Sequence, residues 1–400
     1  MTVRVNKSSF NIREKLSELE RPIGLKGSEL MRAETAQEAR DFVGAGRRNL
    51  IINGAMQVAQ RGTSVSTTGN TFAPISVDRI SLGSAGTGHS TYTAEQSSDA
   101  PDGFQYSFKV TTTSAVTLGS NGYQRVNYPI EGYIASQIGY GKSWSKSITL
   151  SFWVKSNNPG NFSLAFNTVG TTNRFHSVVY TIEQSGVWEY KTITIPGDIV
   201  NYSQNVTNGI GLYLAFALRA SSNWYSTNNN NKWVNQTDGS RHYGHNVNVG
   251  SVNGDYWAIT GVQLEVGKNA TEFEHRSYGE ELALCQRYCY VIRGDWPAAT
   301  AGEVLVGNGV WNGTNAAYIK IEHPVTMLKV PAIDYGNLGW YRVVAEAISW
   351  RGISSLNLLT DACSINSTTI AVAASTDTRG LVARMTTQST SAILILSSEL

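Results

Sequence analysis

Charge is scarce in this 400-residue chain. Asp, Glu, Lys and Arg together make up only 16% of it, against roughly 25% in ordinary soluble domains. The formal net charge is +2, so nothing argues for a nucleic-acid partner, which needs a concentrated basic patch. Cysteine is rarer still. Cys285, Cys289 and Cys363 are the three present, too few for a secreted disulfide scaffold. A metal site would also want more Cys or His at short spacing. No apolar run approaches the roughly 18 residues of a membrane span, and the opening MTVRVNKSSF lacks the apolar core of a secretion signal. The expectation is a soluble chain assembled in a cytoplasm, with no cofactor, no metal and no membrane insertion. Catalytic motifs are missing as well. There is no G-x-S-x-G elbow and no H-E-x-x-H helix. GYGKSW at 139–144 ends like a phosphate loop, but Ser136 stands where its first Gly is required. His242 and His245 lie three apart in a polar loop and read as solvent-exposed rather than as metal ligands. Arg293-Gly294-Asp295 and the Asn-x-Ser/Thr triplets at Asn161 and Asn235 are matches that chance supplies. No enzyme is expected.

What the chain has instead is Gly (38), Tyr (19), Trp (10) and short runs of strict alternation. Phe104, Tyr106, Phe108 and Val110 alternate with polar neighbours. So do Ile148, Leu150, Phe152 and Val154, then Ile210, Leu212, Leu214, Phe216 and Leu218, then the run from Tyr256 to Val266. Period two means strands with one face in a core and the other in water or against a ligand. Many such strands, separated by turn clusters such as SNNPGN, predict a mainly β chain: a jelly-roll β-sandwich over 47–276 and a smaller C-terminal β domain over 291–400. Asn49 to Ile52 reads as a buried opening strand, with Asn53-Gly54 as its turn. Between the two β regions SYGEELALCQRYCY predicts a helical linker over 277–290, with Leu282, Cys285 and Cys289 as its apolar stripe. Both cysteines read as small buried hydrophobes.

Residues 1–46 differ. Ile12, Leu16, Leu19 and Ile23 are spaced like a coiled-coil seam, too short to stand alone. Thr35 and Glu38 form a capping box for a second helix that carries Phe42. Two such helices lack a core. They either pack on the next domain or dock and associate with other chains, which makes this an anchoring and oligomerisation segment.

The strongest binding signal is the loop 223–246, NWYSTNNNNKWVNQTDGSRHYGHN. Trp224, Tyr225, Trp233 and Tyr243 stand there among amides and hydroxyls. Aromatic faces stack on sugar rings, and amides and hydroxyls bond to sugar hydroxyls. Trp153 and Tyr213 fall on the non-core register of their strands and join the candidate glycan-binding set. The alternative is that these aromatics cover a subunit interface.

Three motifs, NLIINGAMQVAQRG (49–62), YWAITGVQLEVG (256–267) and EHRSYGEELALCQRYC (274–289), resemble tail fibre and receptor-binding proteins of short-tailed, marine-type bacteriophages. RPIGLKGSELMRAETAQEARDFVGAG resembles the helical linker before their fibre domains. The resemblance runs from about residue 8 to 290. It implies a homotrimer, an N-terminal segment docked to tail or other virion proteins, and a displayed β domain that attaches to host polysaccharide or lipopolysaccharide. A purely structural fibre and a polysaccharide depolymerase are the alternatives. The first two motifs also resemble the opening and closing strands of carbohydrate-binding sandwich modules. In those modules a Glu and an Asp often serve a structural calcium. Here Met56-Gln57 and Thr260-Gly261 stand at those positions, and a hard cation wants carboxylates.

Overall fold

Ile148, Leu150, Phe152 and Val154 are all fully buried, and the residues between them face the other way. That alternation, repeated strand after strand, sets the architecture. A computed structural model of the protein describes residues 48–69, 75–225, 231–236, 241–294, 304–311, 316–345, 349–359, 363–374, 382–387 and 393–399. The expectations for Ile12, Leu16, Leu19, Ile23, Thr35, Glu38 and Phe42 lie outside the described residues. Residues 49–400 form one compact unit.

Twelve strands come first: β1 Ser64–Thr67, β2 Ser81–Ala85, β3 Thr91–Ser97, β4 Ser107–Ser114, β5 Tyr123–Glu131, β6 Ile148–Ser156, β7 Gly160–Thr168, β8 Arg174–Ile182, β9 Glu189–Ile195, β10 Ile210–Ala220, β11 Trp233–Asn235 and β12 Tyr256–Val266. They make two six-stranded sheets, ordered β1-β3-β4-β12-β6-β9 and β11-β8-β7-β10-β5-β2. Every pairing within them is antiparallel. One apolar core lies between the sheets, with Phe108, Phe152, Phe162, Phe166, Phe216 and Trp257 among its largest members. The chain is thus mainly β, and its first part is a sandwich of the jelly-roll kind.

Nine strands follow the helix Tyr278–Gln286: β13 Cys289–Arg293, β14 Leu305–Trp311, β15 Ala316–Glu322, β16 Ala332–Asp334, β17 Tyr341–Ala345, β18 Ser349–Leu358, β19 Ser367–Ala374, β20 Val382–Thr387 and β21 Ile393–Ser397. Six of them close into a barrel, β14-β15-β19-β18-β17-β20, around a second core that includes Ile319, Val343, Ile370 and Met385. β13, β21 and β16 form a three-stranded sheet beside it.

Two local expectations are corrected. Asn49–Ile52 is buried but is not a strand. Leu50 N–H donates to Leu264 O (2.9 Å), but the N–H groups of Asn49, Ile51 and Asn53 go to side chains rather than to a ladder. Asn49 N–H donates to Glu274 Oε2 (2.7 Å), Ile51 N–H to Asn49 Oδ1 (2.9 Å) and Asn53 N–H to Glu281 Oε1 (2.6 Å). Asn53 then takes φ +62° and Met56 φ +58°. These left-handed positions fold the segment into turns, and Asn is the side chain that best tolerates them. Cys289 is the second correction. The helix ends before it, and it is the first residue of β13. It and Cys285 are nonetheless both buried free thiols, and burial is the leading cause that pushes both pKa values up.

β12 carries a feature that simple alternation hides. Trp257 and Ile259 face the core, but so do Val262 and Leu264. The phase slips by one residue between Thr260 and Gln263, where the register with β6 shifts. Gly261 sits in this bulge at φ +62°.

Candidate functional site

The outward face of the second sheet is where unpartnered polar groups gather. The inward residues of its strands are core: Val126, Tyr128 and Ile130 on β5, Leu212, Leu214 and Phe216 on β10, Phe162, Leu164 and Phe166 on β7. Their alternates point away from the core. Across the sheet the cross-strand register lines up Ser81, Asn127, Ala215, Ala165 and Ser177 in one row. Pro129, Tyr213, Asn167, Phe175 and Val234 line up in the next. The middle of this face is therefore a floor of small side chains between larger ones.

This face is shielded rather than washed by water. Asn127, Asn167, Ser177, Ala165 and Ala215 are all buried, while Tyr213 is half-buried. Asn127 Oδ1, Asn167 Oδ1 and Ser177 Oγ have no hydrogen-bond partner. A shielded polar atom without a partner costs on the order of 1–3 kcal/mol, and three on one face single it out as the candidate site.

The segment 241–246 bounds the face. His242 Nδ1 lies 3.1 Å from Ser163 Oγ, and Ser163 N–H donates to His245 Nδ1 at 3.2 Å. Both histidines are buried, which corrects the reading of them as solvent-exposed. The outward turn of β7 at Ser163 is what draws them in. Burial first, then the charges of Arg125 and Arg241 and the neighbouring His245, push the His242 pKa well below its ordinary value. Burial alone brings His176 to about 4, and burial is the leading cause that brings His245 there too. All three are neutral imidazoles at neutral pH.

The six aromatic candidates do not form one site. Tyr213 stands on the outward face of the second sheet, with Arg125 over its ring at 5.7 Å. Trp224 ends a 3-10 turn, Ser222–Trp224, at the margin of that face. It donates from Nε1 to Asn121 O (2.9 Å), packs edge-on against Tyr123 (4.6 Å) and lies under Arg241 (5.6 Å). Tyr225 and Tyr243 are half-buried in the same loop. Trp233 is elsewhere. It packs on the inner core, against Tyr140 (4.9 Å) and His176 (5.2 Å), and donates to Pro196 O (2.7 Å). Trp153 is on the other sheet, directly across from Tyr190 with rings 5.3 Å apart. The physical reason is that the loop supplies a short strand, β11, whose alternation turns Trp233 inward.

A cleft of about 390 Å³ opens on the first-sheet side, lined by Gln57, Ala59, Thr63, Gln96, Gln105, Tyr106 and Tyr278. Its size suits a small ligand, but Gln96 Nε2 is already engaged by the carbonyls of Met56 (2.6 Å) and Gln57 (3.0 Å). Thr260 and Gly261 bring no carboxylate to the calcium position of the modules they resemble: the Thr260 hydroxyl donates to Tyr106 O at 2.7 Å. Among the described residues no group of three or more His, Cys, Asp or Glu comes together. No described helix is long and apolar enough to cross a membrane.

The three resemblance motifs do converge, but on a joint. Asn49 Nδ2 donates to Val262 O (3.0 Å), and Leu264 N–H donates back to Asn49 Oδ1 (3.0 Å). Asn53 Nδ2 bonds to the carbonyls of Val58 and Asp78. Arg276 donates to Asn49 O and Ile51 O. Arg79 stacks over the Tyr288 ring at 3.5 Å and pairs with Glu399. Glu131 accepts from Arg287 and from the Tyr288 hydroxyl. These residues fasten the sandwich to the helix and the C-terminal β region.

No protein-family model matches the chain, and no curated protein matches it. Solved structures with a likeness include an enzymatically active domain of tailspike protein 4 from bacteriophage CBA120, at 15% identity and TM-score 0.28, covering 52% of this chain and 22% of that one. The CBM22-1 xylan-binding domain of Paenibacillus barcinonensis Xyn10C is similar at 9% identity and TM-score 0.28, covering 56% of this chain and all of that one. A family 11 carbohydrate-binding module from Clostridium thermocellum, in complex with a mixed-linked tetrasaccharide, is similar at 12% identity and TM-score 0.25, covering 54% and 99%. The chain spans less than a quarter of the tailspike chain's length. At scores this low the likeness says nothing of what this chain binds.

Proposed function

We propose that the chain is a glycan-binding virion protein, a tail fibre or similar adsorption appendage that attaches a phage to polysaccharide on its host. The observation that carries the binding half is the outward face of the second sheet. Its small-residue floor, the three partnerless polar atoms of Asn127, Asn167 and Ser177, and the half-buried Tyr213 together match the needs of a sugar ring. The virion half, with its homotrimer and its N-terminal anchor, draws on the sequence resemblance. Several weak sites on one particle gain in avidity against a repetitive polymer.

The test is binding of the full chain to purified host-surface polysaccharides. Saturable binding is expected, weakened about tenfold or more by Tyr213→Ala or Asn167→Ala and unchanged by Tyr278→Ala. Loss of binding in Tyr278→Ala alone would move the site to the first-sheet cleft. We infer binding without catalysis, so the polysaccharide should keep its chain length on incubation. Shortening would make the chain a depolymerase. A purely structural fibre is the second reading. It is favoured by exposed apolar side chains, Trp144 (58% exposed), Ile199 (66%) and Val200, on segments joined by the Gly141 N–H to Asp198 O bond. It would show oligomerisation with no polysaccharide binding.

A further inference from the structure

Two guanidiniums stand at the margin of the second sheet's outward face, and a neutral sugar would offer them no counter-charge. Arg125 projects from β5 two residues before Asn127, on the same side of the strand. Arg241 arrives from the bounding segment and lies over Trp224. Both are buried, at 5% and 4% exposure. They flank one aromatic pair: Arg125 lies over the Tyr123 ring at 4.8 Å, Tyr123 packs on Trp224 at 4.6 Å, and Arg241 lies over Trp224 at 5.6 Å; burial depresses the Arg125 pKa, and the charge of Arg241 depresses it further. Arg241 Nε has no hydrogen-bond partner, and no ion pair neutralises Arg241 among the described residues. His242 Nε2, beside them, is partnerless as well. A guanidinium held out of water, as Arg241 is, is unfavourable unless a negative group sits against it.

We propose that the saccharide taken by this face is acidic, with its carboxylate or sulfate group received by Arg241 beside Arg125. This rests on the glycan-binding reading above. A guanidinium presents a planar fork that meets two oxygens of such a group at once. Trp224 steadies that fork through its ring face. The neutral His242 adds a polar contact without a third positive charge. Asn127 and Asn167 are left to take the ring hydroxyls.

The experiment compares matched polymers on the full chain: polygalacturonate against its carboxyl-reduced form, chondroitin sulfate against its desulfated form, and xylan as a neutral reference. At least one acidic polymer should bind ten times more tightly than its stripped form or better, since charge-assisted bonds are worth about that much. Added salt should erode the preference. Arg241→Gln should abolish it and Arg241→Lys keep part of it. Equal affinity for charged and stripped forms, or a preference that survives in Arg241→Gln, overturns the acidic proposal and leaves glycan binding standing. Binding to none of the polymers overturns both. The carboxylate and sulfate pairs tell the two anionic groups apart.

Discussion

Single side chains do structural work here that backbone ladders do elsewhere. Asn53 is fully buried, left-handed at φ +62°, and bonded through both ends of its amide. No other side chain combines tolerance of that conformation with an acceptor and two donors. Three buried histidines set a pH dependence. His176, His242 and His245 stay neutral in the fold, while in the unfolded chain each takes a proton near pH 6.5. Their folded pKa values are depressed, so their stabilising effect is complete above about 6.5 and is lost as pH falls toward 4. For His176 alone the shift to about 4 corresponds to roughly 3 kcal/mol at most. Urea midpoints should be flat from pH 8 to 7 and fall steadily below 6.5. His176→Phe, set opposite Phe166 and beside Trp233, should flatten the acid limb. A midpoint indifferent to pH between 6.5 and 4.5 would refute this account of the histidines.

Among the elements, β12 shows how one residue governs a strand's two halves. Without the bulge at Gly261, either Trp257 and Ile259 or Val262 and Leu264 would face outward. The bulge lets all four reach the core. A Cβ at Gly261 would lie 2.7 Å from Phe104 Cζ, on a backbone with φ +62°. Gly261→Val should therefore lower stability by about 2 kcal/mol or more, combining left-handed strain with the clash. Chemical denaturation would show it, and a shift under 0.5 kcal/mol would mean that the strand re-registers freely. β7 and β10 make a second element-level point. Their outward positions hold Ser163, Ala165 and Asn167, and Tyr213, Ala215 and Ala217. Ser163, Ala165, Asn167, Ala215 and Ala217 are themselves buried, so the candidate site lies under cover rather than in an open groove.

At the level of the whole molecule, the sandwich and the barrel region are joined by buried charge. Arg79 is almost fully shielded, between the Tyr288 ring and Glu399. An exposed ion pair would contribute under about 1 kcal/mol, but removing one partner of a shielded pair leaves the other stranded and costs about 3–5 kcal/mol. Arg79→Ala should fall in the second class. Calorimetry of the parent chain should show residues 49–400 melting in one cooperative transition, and Arg79→Ala should lower its midpoint and split it. A single, unshifted transition in the variant would mean that the apolar contacts of Ile52, Val58, Cys285, Tyr288 and Leu328 hold the joint unaided.

Much of this was legible in the residue order. Period-two alternation determined the strands of the sandwich and their buried faces, because a strand's side chains alternate whatever its neighbours are. Scarce cysteine and charge determined what kind of stabilisation the chain could use. The site was less legible. Tyr213 could be picked out by its non-core register and Trp224 as an aromatic in polar company, but Trp233 could not be told from Trp224. Its direction depends on a three-residue strand pairing with His176 across the sheet. Arg125, Asn127, Asn167 and Ser177 carry no motif. They become a cluster only when β5, β10, β7 and β8 lie side by side. His242 and His245 looked polar and exposed because burial is a property of what packs above a residue. The opening motif looked like a strand because an extended backbone reads the same whether its partner is a ladder or a set of side chains. Sequence determined which atoms could bond and which faces were apolar. Tertiary structure alone decided which distant atoms met, because the fold brings together residues that the chain separates by as many as 338 positions.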